Sequence, residues 1–184
     1  ARYPHLELDH LVQQAIREKV YIERLPTFLR AQHIDDEQLI ATAHERFRRD
    51  WFARLVLNDD APTTLMALRP SYKLGLITNG PSATQRPKIA QFELADYLDL
   101  LIVSEEVGVA KPDPAIFQLA LAELAVPPER ALYVGDSLEF DLPGAAAAGK
   151  PFISINPRNE PFHDDLPRPL AEIKRLTELL PLLQ

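Results

Sequence analysis

Four short apolar runs, at residues 74–77, 99–103, 131–134 and 152–155, constrain the fold of this chain more than any other feature. Each is bounded by turn residues. Stretches of helical spacing lie before, between and after them, at roughly 62–69, 82–92, 112–125, 142–149 and 169–182. Alternating β and α units of this length predict an α/β fold with a doubly wound parallel sheet, because parallel strands need a crossover helix between them. Pro112 and Pro143 suit first helical turns, and Gly149 suits a helix stop.

The first third of the chain has a different period. From Leu6 to about Leu57 the apolar spacing is helical throughout. Leu8, Leu11, Val12, Ala15 and Ile16 mark one stripe, and Leu39, Ile40, Ala43, Phe47, Trp51 and Leu55 mark another. Asp35 is the expected N-cap of the second helix. The change of period divides the chain into an all-helical part, residues 1–60, and an α/β part, residues 61–184.

Composition narrows the function classes. The 184 residues suffice for one domain, or one with a modest insertion, and 46% apolar content with 26% charge is ordinary for a chain with a real core. A net charge of −7 argues against a nucleic-acid backbone as the main partner. With no cysteine, a disulfide framework, a thiolate metal site and a cysteine nucleophile are excluded. No run approaches the ~18 apolar residues that span a bilayer, so no membrane partner is expected, and a cytoplasmic location fits. Nothing in the sequence sets the oligomeric state.

In an open parallel sheet, ligands collect beyond the carboxyl ends of the strands. Thr78 directly follows one apolar run, and Asp136 follows another with Gly135 between, so both are predicted at the same edge. In Thr78-Asn79-Gly80 a hydroxyl stands beside backbone amides where glycine lets the chain turn, which makes an anion cradle. The same three residues also suit an ordinary strand-to-helix turn. Lys111 can neutralise a bound phosphate and keep an aspartate ionised, although a lysine by itself is more often a solvated charge. Asp136, with Asp141 five residues on, suits Mg²⁺, which takes oxygen ligands and keeps several waters; alternatively Asp136 caps a helix and Asp141 is solvated.

The order Thr-Asn-Gly, then Lys111-Pro112, then Gly135-Asp136 with Asp141, each at an element boundary, resembles the haloacid dehalogenase superfamily of phosphohydrolases. The likeness runs from about Pro62 to Asn156. Within it, Thr78-Asn79-Gly80 followed by Gln85 and Lys88, and the stretch from Ser104 to Pro112, resemble the subgroup of pyrimidine 5′-nucleotidases and N-acylneuraminate-9-phosphatases. The resemblance implies a Rossmannoid core with a small helical cap of the first subfamily, inserted after the strand that bears the nucleophile. It implies that Thr78 and the amides of Asn79 and Gly80 bind phosphate oxygens, and that Lys111 bridges phosphate and nucleophile. Asp136 is then a Mg²⁺ ligand, and Asp141 orients Lys111 and the water shell of the metal. The implied reaction is Mg²⁺-dependent hydrolysis of a small phosphorylated metabolite, a nucleoside monophosphate or sugar phosphate, through an aspartyl-phosphate.

One part of that pattern is missing. The family's nucleophile is an Asp with a second acid two residues on, and none of the thirteen Asp residues here has another Asp at that spacing. Asp9 has Leu11 there, while Asp35-Asp36, Asp59-Asp60 and Asp164-Asp165 read as caps and solvated charge. The strand that would carry the motif is the middle one of five, between the strands of Thr78 and Asp136. Without it, two hydrogen-bonding edges are exposed and the core is divided. The expectation is therefore a natural protein with an N-terminal segment of several tens of residues, and a chain that folds poorly and is inactive without it.

Other residues invite weaker readings. The five histidines, His5, His10, His33, His44 and His163, show no metal-ligand spacing. Ser137 lacks the Gly-x-Ser-x-Gly elbow of a nucleophilic serine. Trp51, Phe47 and Phe52 read as core, and Arg46, Arg48 and Arg49 as a solvated face. Two alternatives to the phosphatase remain: a catalytically silent module that binds phosphate or a partner, and a 2-haloacid dehalogenase, whose chemistry needs no metal.

Overall fold

The computed structural model describes residue 3 and residues 7–18, 20–162 and 166–183; Leu6, His5, His163, Asp164 and Asp165 lie outside them. The chain forms two compact units, Ala1–Val56 and Leu57–Gln184.

The first unit is helical, with α1 (Leu8–Arg17), α2 (Leu25–Ala31) and α3 (Glu37–Arg54). Its core is Phe28, Leu29, Ile34 and Ile40, with Leu11, Ala15, Val20, Leu25 and Ala43 packed around it. Only part of each expected stripe turns inward: Val12 is 46% exposed, Ile16 64% and Leu39 43%. Three helices of this size bury a narrow seam rather than a wide face. Phe47, expected in the core, is 36% exposed, because it lies on α3 beyond the stretch that Ile40 and Ala43 pack into that core. Trp51 and Phe52 meet edge-on with ring centroids 5.4 Å apart. Arg46 and Arg49 pair with Asp50 and Arg48 with Glu45 at 3.5 to 3.8 Å, the solvated face expected. The cap of α3 is Asp36, not Asp35: its Oδ1 accepts from the amides of Gln38 and Leu39, both at 3.1 Å. The helix begins at Glu37, so Asp36 holds the extended position just before it. Asp35 instead accepts from the Tyr3 hydroxyl at 3.0 Å.

The second unit is α/β, as the period predicts. It runs α4 (Ala61–Leu68), β1 (Gly75–Thr78), α5 (Ser82–Gln91), β2 (Leu100–Val103), α6 (Ser104–Val107) and α7 (Pro114–Leu124). There follow β3 (Tyr133–Gly135), α8 (Asp141–Ala147), β4 (Phe152–Ile155), β5 (Ala171–Ile173) and α9 (Leu179–Leu182). All described pairings are parallel. The strands form two sheets, β1-β2 and β3-β4-β5, and β1 and β3 do not pair with each other. Each therefore keeps an edge without a strand partner among the described residues. The principal core is Ile77, Ile102, Ile116, Phe117, Ala120, Leu142, Ala145 and Phe152.

Two sequence expectations fail here. Residues 169–182 are not one helix: 171–173 pair with β4 in the register Ile153↔Ala171 to Ile155↔Ile173, and only 179–182 are α-helical. The open edge of β4 and the burial of Ile173, 2% exposed, outweigh a leucine spacing that reads as helical. Pro112 does not start a helix either. Its peptide bond with Lys111 is cis, and α7 starts at Pro114, where Asp113 caps the Ala115 amide at 2.9 Å. Pro143 and Gly149 stand where expected, in the first turn of α8 and just past its end.

Asp60 is not solvated. It is 7% exposed and accepts from the Thr177 amide at 3.0 Å and the Thr177 hydroxyl at 3.3 Å, with Arg175 at 3.7 Å. Burial pushes its carboxyl upward, but the Thr177 amide and the Arg175 charge outweigh this and hold it below the usual carboxylate range. A carboxyl depressed by folding adds stability above its unfolded pKa and loses it as pH falls through the folded value. Asp60→Asn is therefore expected to cost about 1–2 kcal/mol at pH 7 and to flatten the acid decline below about pH 4. Urea unfolding across that range measures it, and parallel declines in the two proteins would count against the assignment.

Candidate active site

Thr78, Asn79 and Gly80 leave the end of β1, and Asp136 follows β3. Lys111 spans the break between the two sheets. Its ammonium donates to the Ile77 carbonyl of β1 at 3.1 Å, to Asp141 Oδ1 at 2.7 Å and to the Tyr133 hydroxyl of β3 at 3.2 Å. A lysine has three donor hydrogens, and all three are engaged. The pair is buried, with side-chain exposures of 12% for Lys111 and 4% for Asp141.

The backbone of Lys111 is held as firmly as its side chain. Asn79 Nδ2 donates to the Lys111 carbonyl at 2.8 Å, and the Lys111 amide donates to Asn79 Oδ1 at 2.9 Å. The Asn79 side chain is thus a two-point clamp between the two loops. Gly80, at φ 125°, donates its amide to Ser104 Oγ at 3.0 Å. That amide, expected to face a phosphate, already has a partner, and a phosphoryl oxygen there would have to displace Ser104.

Asp141 is the first residue of α8. Its Oδ1 accepts from Lys111 and, at 3.2 Å, from Tyr133; its Oδ2 accepts from the Ser137 amide at 3.0 Å. The close approach to β3 depends on Gly135, since a Cβ there would lie 2.5 Å from Asp141 Oδ2. Burial, and then the charge of Asp141, push the Tyr133 phenol far above its ordinary range, so it stays protonated and donates.

The Mg²⁺ implied by the sequence needs open oxygen ligands. Asp136 is exposed and accepts from no described group, whereas both oxygens of Asp141 are engaged by the protein. Among the described residues no group of three or more His, Asp or Glu is placed to hold a metal. Asp136 fits as a single carboxylate ligand of an ion that keeps several waters, and Asp141 fits a role one layer behind it.

Sequence reasoning gave no role to Tyr133, Ser104 or the residues tying α5 to α6. Ser82 donates its amide to Glu105 at 2.7 Å and its hydroxyl to Glu106 at 2.6 Å, and Arg86 makes a forked pair with Glu106 at 2.8 and 2.5 Å. The Arg86 and Ser82 hydrogen bonds hold the Glu106 carboxyl down at about 2. An Arg four residues after a Ser is a signal on one helix only. The acids that answer it lie 20 or more residues away.

The chain is similar to known proteins. The model of a haloacid dehalogenase-like hydrolase family matches residues 4–149. Over 183 residues the chain is 35% identical to a glyceraldehyde 3-phosphate phosphatase of Methanopyrus kandleri, covering 95% of this chain and 78% of that protein. It is 48% identical over 90 residues to the pyrimidine 5′-nucleotidase YjjG of Escherichia coli, covering 48% of this chain and 40% of that one. Against the N-acylneuraminate-9-phosphatase of Mus musculus it is 32% identical over 151 residues, 82% of this chain and 61% of the other. The chain thus spans less than two thirds of the last two relatives. The magnesium-bound structure of YfnB from Bacillus subtilis superposes with a TM-score of 0.77 at 26% identity, covering 97% of this chain and 84% of that one. Sequence match and fold agree, and the chain belongs to the haloacid dehalogenase-like hydrolases.

Proposed function

We propose that this chain is the greater part of a Mg²⁺-dependent phosphatase acting on a small phosphorylated metabolite, such as a nucleoside monophosphate or a sugar phosphate. The observation that carries the reading is the buried Lys111–Asp141 pair at 2.7 Å, joined to the Thr78-Asn79-Gly80 loop by the Asn79 clamp. A fixed cation beside a strand-end hydroxyl suits a transferring phosphoryl group, whose charge must be met by groups already in place. Relatives named as phosphatases of glyceraldehyde 3-phosphate, pyrimidine nucleotides and N-acylneuraminate 9-phosphate support a small phosphomonoester.

In this reading Thr78 donates to a phosphoryl oxygen, and Lys111 exchanges its Ile77 or Tyr133 contact for the phosphate while keeping Asp141. Asp141 holds the ammonium in place throughout. A magnesium ion held by Asp136 would offset the negative charge of the substrate. Attack on phosphorus is assigned to an aspartate outside this chain, since no Asp here has another Asp two residues on. The unpaired edges of β1 and β3 support a strand there. Residues 1–60 are assigned as the cap that selects the leaving group.

The test is a panel of phosphomonoesters, run with Mg²⁺ and with excess chelator on a protein that carries the attacking aspartate together with these residues. Hydrolysis that needs the metal, and that falls at least about 100-fold in Asp136→Asn, is the expected result. Metal-independent turnover of a 2-haloacid would favour the dehalogenase. Phosphate binding without turnover would make this a binding module.

A further inference from the structure

Thr78 Oγ donates its one proton to Gln85 Oε1 at 3.1 Å. Gln85 sits in the first turn of α5, seven residues on, and its side chain is the only described acceptor for that hydroxyl. The same side chain also fills the space over the cradle's glycine. A Cβ on Gly80 would lie 2.8 Å from Gln85 Nε2, 3.6 Å from Cδ and 3.7 Å from Cγ. One carboxamide thus has its acceptor end on Thr78 and its donor end against the backbone of Gly80.

A threonine hydroxyl has a single proton and spare lone pairs. While that proton is on Gln85, it is withheld from any phosphoryl oxygen. When a phosphoryl oxygen takes it, Oε1 faces Oγ with no proton between them, acceptor against acceptor. A carboxamide resolves this by turning over, so that Nε2 donates to Oγ. A carboxylate cannot do so, and an apolar side chain offers neither end.

We propose that Gln85 is a positioning residue for Thr78, holding the hydroxyl proton in the empty cradle and turning its amide to donate to Oγ when a phosphoryl oxygen claims that proton. This rests on the phosphate-binding reading of Thr78 given above.

The experiment is calorimetric titration of the purified protein with inorganic phosphate in Mg²⁺ buffer, between pH 5 and 8. The variants are Gln85→Glu, Gln85→Met, Thr78→Val and the double variant Thr78→Val/Gln85→Met. Gln85→Glu is expected to bind phosphate at least about tenfold more weakly than wild type at pH 8. The gap should narrow toward pH 5, as the introduced carboxyl takes up a proton and can donate again. Gln85→Met should cost about threefold at every pH, and nothing further once the Thr78 hydroxyl is gone. Equal, pH-independent losses in Glu and Met would make Gln85 a packing residue and overturn the proposal. An undiminished Met effect in the Thr78→Val background would do the same. If Thr78→Val weakens phosphate but both Gln85 variants bind as wild type, the proposal fails while the site stands. If wild type binds no phosphate, the reading of the site falls and this inference falls with it.

Discussion

Asp141→Ala is expected to lower the free energy of unfolding by about 3–5 kcal/mol. The substitution leaves the Lys111 ammonium in a largely buried place with only the Ile77 carbonyl and the Tyr133 hydroxyl. It also removes the acceptor of the Ser137 amide. The cost arises mainly from the charge left behind, not from the intrinsic worth of the pair, because desolvating two ions offsets much of their attraction. That distinction can be measured. Asp141→Leu combined with Lys111→Met, which removes both charges and keeps the volume, should recover at least about half of the loss. Urea unfolding of the two variants beside the wild type decides it. An additive double variant would show that the two side chains are not coupled as drawn, and a cost below about 1 kcal/mol for Asp141→Ala would show that the carboxylate is hydrated rather than buried.

Gly135→Ala tests the same site from the backbone side. The added Cβ would stand 2.5 Å from Asp141 Oδ2, 2.7 Å from Cγ and 2.8 Å from Cβ. Asp141 is 3% exposed and fixed through both oxygens, so it has no free direction in which to retreat. Either β3 bends away from α8 or the Lys111 pair opens. The expected cost is about 2–3 kcal/mol, read by chemical denaturation. Unlike an overpacked hydrophobic position, it should come with weaker phosphate binding, because Lys111 loses its anchor. A variant as stable as wild type would mean that α8 can shift by about an ångström without consequence.

Sequence and structure agree where the signal is local. The four apolar runs became β1 to β4 within two residues, and Thr78 and Asp136 stand at strand ends because each run stops at a turn residue. β1 and β3 do not pair with each other, and each keeps an edge without a strand partner among the described residues. The failures are of another kind. Asp36 rather than Asp35 caps α3 because the helix start is set by packing, and neighbouring aspartates differ by one residue. The three residues of β5 are too few to carry a period, and only the vacant edge of β4 makes them a strand.

By itself the sequence determined the α/β alternation, the helical first third, the family, and the identity of the residues at the strand ends. Those properties depend on spacing within about ten residues, which the chain carries whether or not it is folded. Only the tertiary structure decided what those residues bind to. Lys111 reaches Asp141 across 30 positions, Asn79 clamps Lys111 across 32, and Asp60 meets Thr177 across 117. Such partners are selected by closure of the core and by the need to satisfy every buried donor and acceptor, conditions that exist only once the strands are side by side.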